Sequence, residues 1–174
     1  FDRLDLAIAA SRRSELYGAL LFIDLDNFKP LNDSRGHEAG DLLLTEVARR
    51  LQKCVREGDL VARLGGDEFV VMVQNLDADG ERSRAQIGII AEKIHAALSE
   101  PYRMHLKDEK GHLMAIEHHC TASVGVCLFH SDEQSAEDIL RRADQAMYAV
   151  KESGRNGIQF ANGQHSVVAP PAPA

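Results

Sequence analysis

The sequence of 174 residues lacks the marks of several protein classes. Its three cysteines are scattered, odd in number and without a Cys-x-x-Cys motif, which favours free thiols over a disulfide framework. No stretch approaches the roughly 18 consecutive apolar residues of a membrane helix, and no signal peptide is visible. The formal net charge of −7 argues against a broad basic surface for duplex nucleic acid. We therefore expect a cytoplasmic chain, including the cytoplasmic part of a larger or even membrane-bound protein.

The composition is that of one globular domain. Apolar residues make up 44% and charged residues 27% of the chain, and this length suffices for one hydrophobic core but not comfortably for two. Because the chain begins with Phe1 inside a helical pattern, we interpret it as a piece of a longer protein. We predict a domain over residues 1–160 and a disordered tail or linker over residues 161–174, which ends in a proline-rich run.

Hydrophobic periodicity predicts an α/β fold. Helices are predicted over 2–16, 38–55, 84–98 and 136–153, and strands over 19–25, 60–64, 69–73, 101–106, 112–117, 121–129 and 157–160. The segment 26–36 is predicted to be a polar loop, because Pro30 and Gly36 break regular structure. A hairpin between helical crossovers indicates a mixed sheet.

Two clusters of acidic residues stand where acids are costly. Asp24 and Asp26 end an apolar strand, and Asp67 and Glu68 occupy a tight turn beside a second apolar run. A carboxylate at the edge of a core is destabilising unless it is paired or bound to a metal. If the two strands are neighbours, Asp24 and Asp67 face one another and form an oxygen site suited to Mg²⁺ or Mn²⁺. Two such ions can hold the attacking and leaving oxygens of a phosphoryl displacement.

A purely structural alternative explains part of this pattern. Gly65 and Gly66 also suit a plain hairpin turn whose acids are solvated. That alternative accounts for the glycines, but it gives no reason for Asp24 at the end of an apolar strand.

Further motifs follow in order between about residue 19 and residue 160. They are Phe22-Ile-Asp-Leu-Asp-Asn-Phe-Lys29, Leu31-Asn32-Asp33, Gly36-His37, Gly40-Asp41, Gly65-Gly-Asp-Glu-Phe69, Ala143-Asp-Gln-Ala-Met-Tyr148, Lys151 and Gly154-Arg-Asn-Gly157. In order and spacing these motifs resemble the GGDEF family of diguanylate cyclases. The resemblance implies an α/β domain with a central mixed, mostly antiparallel sheet flanked by helices, similar to nucleotidyl cyclases and polymerase palms.

The resemblance assigns the acids to metal binding and catalysis. Asp24 and Asp67 correspond to metal-binding carboxylates, and the main-chain carbonyl of Leu25 completes the set. Asp67 also helps to deprotonate the attacking 3′-hydroxyl, and Glu68 is a further catalytic and metal-binding acid. The implied cofactor is Mg²⁺ or Mn²⁺, with two ions per GTP.

The same resemblance assigns contacts to the base. Asn32 and Asp41 correspond to guanine readers, and their chemistry fits, because Asp accepts from N1–H and N2–H₂ while Asn both donates and accepts. His37 has two interpretations of equal weight, since it either lines the nucleotide pocket or holds its loop. The other implied substrate-binding residues are Phe28, Gly65 and Gly66.

Three cations correspond to contacts with the triphosphate. Lys29, implied as catalytic, acts with the neighbouring loop amides, and Lys151 and Arg155 lie four residues apart at the end of a helix. An alternative is that Lys151 and Arg155 complement the negative end of that helix. Both interpretations can hold at once.

The resemblance also implies a feedback site at Arg56-Glu-Gly-Asp59. Five residues separate Asp59 from Gly65, which begins the Gly65-Gly-Asp-Glu68 turn (the signature turn), and this spacing is that of the family's inhibitory site. An Arg fork can bind a guanine edge or a phosphate, and Asp can accept from guanine. The alternative is an exposed Arg–Asp ion pair worth under about 1 kcal/mol. The resemblance favours binding of the cyclic product here.

The implied activity is condensation of two GTP molecules into cyclic di-GMP and two pyrophosphates by two domains that meet face to face. The expected partners are GTP, cyclic di-GMP and a second copy of the domain, without nucleic acid or membrane contact. Two alternatives stay open, namely a binding module that has lost turnover and a mononucleotide cyclase on a similar fold.

The family's usual Asp-x-Leu-Thr-Gly-Leu-x-Asn-Arg segment is absent, and no dimerisation element is visible. These two absences predict weak activity for this piece alone.

Overall fold

A computed structural model describes residues 2–108, 110–130, 135–161 and 166–168. Within these residues the helices are α1 (Asp2–Ser14), α2 (Phe28–Arg35), α3 (His37–Cys54), α4 (Gly80–Ser99) and α5 (Ala136–Glu152). The strands are β1 (Gly18–Leu25), β2 (Leu60–Gly65), β3 (Glu68–Val73), β4 (Tyr102–Lys107), β5 (Leu113–His118), β6 (Ala122–Phe129), β7 (Gly157–Phe160) and β8 (Ser166–Val168). Across this part of the chain no helix has both the length and the apolar character that crossing a membrane requires.

One sheet organises the domain, with the strand order β2-β3-β1-β6-β7-β8. The pairs β2–β3, β1–β3, β1–β6 and β7–β8 are antiparallel, and β6–β7 is parallel. Strands β4 and β5 form a separate antiparallel hairpin. The prediction of a mixed, mostly antiparallel sheet between helices is confirmed.

Helices cover both faces of the central strand. Leu21 and Ile23 of β1 pack in a core that includes residues of α3 and α4, whereas Leu20 and Phe22 pack in a second core with residues of α1 and α5. Every residue of β1 is therefore buried. Burial on both faces explains why this strand is a continuous apolar run rather than an alternating one.

The close packing of α5 on the sheet depends on Gly125 in β6. A Cβ atom at this position would overlap the carbonyl oxygen of Ala143 and the main-chain nitrogen of Met147. Glycine thus lets the helix backbone rest directly against the strand. One turn beyond Met147 the helix reaches Lys151, so this contact also sets the height of Lys151 above the end of β1.

The sequence prediction was wrong for the segment 26–36, which is mostly helical. Pro30 falls in the first turn of α2, where its missing N–H leaves no helical hydrogen bond unmade. Gly36, with a φ of 84°, separates α2 from α3 rather than ending a loop. The strand end is therefore followed at once by a helix.

The predicted tail, residues 161–174, includes one short segment that the structure describes. Ser166–Val168 pairs with β7 as strand β8, where it covers the edge that β7 would otherwise leave open. The prediction for residues 162–165 and 169–174 falls outside the described residues.

Candidate active site

The acidic residues meet where β1 ends beside the β2–β3 turn. Asp24, 6% exposed, is paired in the sheet register with Glu68 of β3. The N–H of Leu25 donates to the main-chain oxygen of Asp67 at 3.2 Å. The predicted proximity of the strand end and the acidic turn is therefore what the structure contains.

The environment of Asp24 disfavours its negative charge. Together the surroundings raise the pKa of Asp24 to about 6, because burial and the charges of Asp67 and Glu68 raise it by more than the hydrogen bond and the charge of Lys151 lower it. The Nζ of Lys151 donates to Oδ1 of Asp24 at 2.5 Å. The buried acid of this group thus has a positive charge beside it, which Lys151 supplies from α5.

The donor set fits a hard divalent cation bound in part by substrate. No cluster of three or more His, Cys, Asp or Glu side chains suited to a metal occurs among the described residues. The predicted set needs fewer side chains, because Mg²⁺ commonly takes one or two carboxylates and completes its shell with waters and phosphates. Asp24, Asp67 and the carbonyl of Leu25 offer oxygens of that kind, with Glu68 beside them.

The signature turn owes its shape to its glycines. Gly66 has a φ of 52°, in the left-handed region that glycine adopts without steric cost. The strand register shifts between Arg63 and Gly65, and Nε of Arg63 donates to the carbonyl oxygen of Gly66 at 2.8 Å. This irregular turn leaves Asp67 and Glu68 half-buried beside Asp24.

The two residues predicted to read guanine lie on adjacent helices. Asn32 of α2 packs so closely on α3 that a Cβ at Gly40 would overlap its Oδ1. That oxygen is buried and has no hydrogen-bond partner among the described residues, which is uncommon for a buried acceptor. Asp41 is exposed and lines a groove of about 650 Å³ between α3 and the β2–β3 hairpin, with Arg63 and Phe69 on its other wall.

The predicted phosphate contacts gather around the same strand end. Asn27 has a left-handed φ of 58°, and α2 begins directly after it, so Lys29 and first-turn amides without helical partners stand beside β1. Lys151 contacts Asp24, while Arg155 is exposed in the turn after α5. Phe28 is buried, and His37 is exposed at the start of α3. Contact of these residues with a substrate stays a prediction.

Asp26 has a role that the sequence interpretation missed. It is 1% exposed and accepts hydrogen bonds from Thr121 Oγ1 at 2.6 Å, Ser123 Oγ at 2.8 Å and the N–H of Asn156 at 3.0 Å. The sequence groups it with Asp24, but the structure ties it to β6 and to the turn before β7. The available signal was a Thr and a Ser at the start of an otherwise apolar strand.

The Arg56–Asp59 segment forms a tight turn before β2. The carboxylate of Asp59 accepts from the N–H of Arg56 at 3.0 Å and from the N–H of Gln74 at 3.3 Å. The exposed guanidinium of Arg56 forms no hydrogen bond or ion pair within the described ranges. The alternative of a surface ion pair between these two side chains is therefore not what the structure contains, and product binding here stays a prediction.

Comparisons with known proteins show the family of the chain. The family model described as "Diguanylate cyclase, GGDEF domain" matches residues 1–157. The bifunctional diguanylate cyclase/cyclic di-GMP phosphodiesterase MucR of Pseudomonas aeruginosa is 40% identical over 91% of this chain. The chain spans 21% of that relative's length, and 34% and 16% of two other curated relatives.

Solved structures share the fold. The crystal structure of the GGDEF domain of YfiN (TpbB) from Pseudomonas aeruginosa matches with a TM-score of 0.75 and 35% identity, covering 94% of this chain and 93% of that one. The GGDEF domain of DgcB from Caulobacter crescentus, solved in complex with c-di-GMP, matches with a TM-score of 0.75 and 28% identity, covering 93% and 88%.

The sheet order and the acidic strand end define an α/β domain with the fold of nucleotidyl cyclases and polymerase palms. Within that class the chain belongs to the GGDEF-domain family of diguanylate cyclases.

Proposed function

We propose that this chain is the catalytic domain of a diguanylate cyclase that condenses two GTP molecules into cyclic di-GMP and two pyrophosphates. The observation that supports this most directly is the buried Asp24 beside Asp67 and Glu68, with Lys151 supplying the positive charge. A merely structural hairpin would not require a buried acid at the end of the neighbouring strand.

Asp24, Asp67 and the carbonyl of Leu25 would hold Mg²⁺ or Mn²⁺, two ions per GTP, with Glu68 as a further acid. When bound, these ions would neutralise the phosphates and the developing charge of the displacement. Catalysis by the chain's own residues would consist of positioning and electrostatics. Lys151 stands where it can exchange its contact with Asp24 for a phosphate oxygen once another cation neutralises the acids.

The base would lie near α2 and α3, where Asn32 and Asp41 would read its hydrogen-bonding edge. The groove beside Asp41 has room for a nucleotide base, and the β2–β3 hairpin forms its other wall. The triphosphate would then extend toward the first turn of α2, Lys151 and Arg155. This direction brings the α-phosphate near the acids that surround Asp24.

One domain would hold one GTP, so that a second copy must present the attacking 3′-hydroxyl. The decisive experiment incubates the purified domain at high concentration with GTP and Mg²⁺ and identifies the products by mass. Cyclic di-GMP would support the proposal. GTP binding without turnover would indicate a binding module, and cyclic GMP would indicate a mononucleotide cyclase.

Asp41→Ala is expected to weaken GTP binding about tenfold or more, because a buried guanine edge left without its acceptor costs about 1–3 kcal/mol. Calorimetry with GTP and ATP measures the effect, and the loss should be confined to GTP. The control is Asp5→Ala, which removes another exposed acid, from α1. Equal GTP and ATP affinities in the unmodified domain would contradict guanine reading.

Cyclic di-GMP is expected to inhibit the domain through Arg56 and Asp59, at a distance from the substrate site. Arg56→Ala should weaken inhibition about ten- to a hundredfold without lowering the initial rate, since one charge-assisted contact is worth about 1.5–3 kcal/mol. Arg56→Ala is a clearer test than a substitution of Asp59, because the Asp59 carboxylate also stabilises the turn through its hydrogen bonds.

The measurement is initial velocity against added cyclic di-GMP at several GTP concentrations. Lys53→Ala is the control, since it removes an exposed positive charge three residues earlier. If higher GTP concentrations overcome the inhibition by cyclic di-GMP, and Arg56→Ala leaves this inhibition unchanged, the Arg56–Asp59 segment is only a turn.

A further inference from the structure

The carboxylate of Asp26 is buried without a cationic partner in the described part of the chain. Its three hydrogen-bond donors are two hydroxyls and one main-chain N–H, all neutral. His95 lies near enough to Asp26 to interact with its charge, but burial lowers the pKa of this histidine and favours its neutral form. Burying a carboxylate with only neutral hydrogen-bond donors is costly, and this cost points to a specific role for Asp26.

One of its donors lies in a turn with an unusual backbone. Arg155 and Asn156, between α5 and β7, have φ angles of 65° and 51°. A left-handed φ is costly for Arg155 and less so for Asn156, and a pair of such residues is retained where surrounding contacts enforce it. Two contacts do so here, from the N–H of Arg155 to Val150 O at 2.9 Å and from the N–H of Asn156 to Asp26 Oδ2 at 3.0 Å.

Strand β6 fixes the direction in which Asp26 accepts. Ser123 Oγ donates to Oδ1, Thr121 Oγ1 donates to Oδ2, and the main-chain N–H of Asp26 donates to Thr121 O at 2.8 Å. Oδ2 is thereby held toward the N–H of Asn156. Both carboxylate oxygens are engaged, which separates Asp26 from the metal-binding role proposed for Asp24.

We infer that Asp26 is a positioning residue that holds the Arg155–Asn156 turn in its left-handed conformation, so that Arg155 faces the phosphates of the bound nucleotide. The inference rests on the proposed function. A hydrogen bond from an N–H to a carboxylate is charge-assisted and stronger than one to a neutral acceptor. Asp26 therefore connects the strand that bears Asp24 to the turn that bears Arg155, and it acts through Arg155 rather than on the substrate.

The test is a double-mutant cycle on the affinity for a GTP analogue with a methylene group between the α- and β-phosphorus atoms, which cannot release pyrophosphate. In the presence of Mg²⁺, Arg155→Ala should weaken binding about tenfold, and Asp26→Asn should weaken it several-fold. In the Arg155→Ala background, Asp26→Asn should add less than about twofold. Binding of Mn²⁺ alone should be unchanged in Asp26→Asn, because Asp26 is not a ligand.

Two controls keep the result interpretable. Thr121→Val removes a donor to Oδ2 and leaves Asp26 in place, so it replaces Asp26→Asn if that variant does not fold. Ser123→Ala removes the donor to Oδ1, the oxygen that does not face the turn, and should have the smaller effect on analogue affinity.

The outcomes separate this inference from the proposed function. No binding of the analogue by the unmodified domain would contradict the proposed function itself. Two other outcomes would overturn the positioning role alone. One is that the unmodified domain binds the analogue and Arg155→Ala does not weaken this binding. The other is that Asp26→Asn weakens analogue binding just as much in the Arg155→Ala background. Loss of Mn²⁺ binding in Asp26→Asn would reassign Asp26 to the metal site.

Discussion

Replacing Asp67 with Asn is expected to lower turnover by at least about a hundredfold and to weaken divalent-metal binding while the domain stays folded. Asn preserves the shape of the side chain and removes the charge that a metal ligand requires. The Asp67 side chain forms no hydrogen bond within the described residues, so the fold does not depend on its carboxylate. Initial rates with GTP, Mn²⁺ titration and thermal unfolding measure the three parts of this prediction.

Asp108→Asn is the matched control, since it makes the same exchange in the turn of the other hairpin. There Asp108 accepts from the N–H groups of Lys110 and His112, so the control can lower stability but should not affect turnover. Undiminished activity in Asp67→Asn would remove this residue from the mechanism. Loss of the folded state in Asp67→Asn would instead show that the turn needs the carboxylate.

Gly125→Ala is expected to destabilise the domain by about 1–3 kcal/mol and to lower its melting temperature by roughly 2–10 °C. The added methyl group would overlap main-chain atoms of Ala143 and Met147, which cannot rotate away as a side chain would. Helix α5 must then move off the sheet and carry Lys151 away from Asp24. Turnover should therefore fall by more than the loss of folded protein explains.

Gly88→Ala is the control for this substitution. Gly88 lies within α4, and the nearest atom to an added Cβ would be Phe160 Cζ at 3.9 Å, an ordinary contact. Since alanine is favoured over glycine in a helix interior by up to about 1 kcal/mol, this variant should be more stable than the unmodified domain. Equal melting temperatures for both variants would mean that α5 has room at β6.

The strands of the sheet could largely be predicted from sequence, because strand signals are local. The apolar run that forms β1 and the paired runs of β2 and β3 are each recognisable within a few residues. Helix α2 was missed, because Pro30 and Gly36 were both interpreted as loop signals. A short helix with proline in its first turn and glycine after its last residue has the amino-acid composition of a loop, so composition does not distinguish the two.

The candidate site could be predicted in part. Ordered motifs implied that Asp24 and Asp67 are neighbours, and the β1–β3 pairing brings them together. The roles of Asp26 and Asp59 could not be predicted, since they depend on partners that become close only when the sheet is complete. Thr121 is 95 positions from Asp26 along the chain, and no local pattern reports such a contact.

The central position of β1 also has a consequence for the order of folding. Strand β3 ends at Val73, whereas β6, the other neighbour of β1, begins at Ala122. During synthesis at about 5–20 residues per second, one edge of β1 therefore stays without a partner on the order of seconds after the other edge has paired. An open apolar edge is a template for incorrect strand pairing, and pairing across a long stretch of chain is slow. We expect nascent chains that stop before Ala122 to be the form of this domain most prone to aggregation and to chaperone binding.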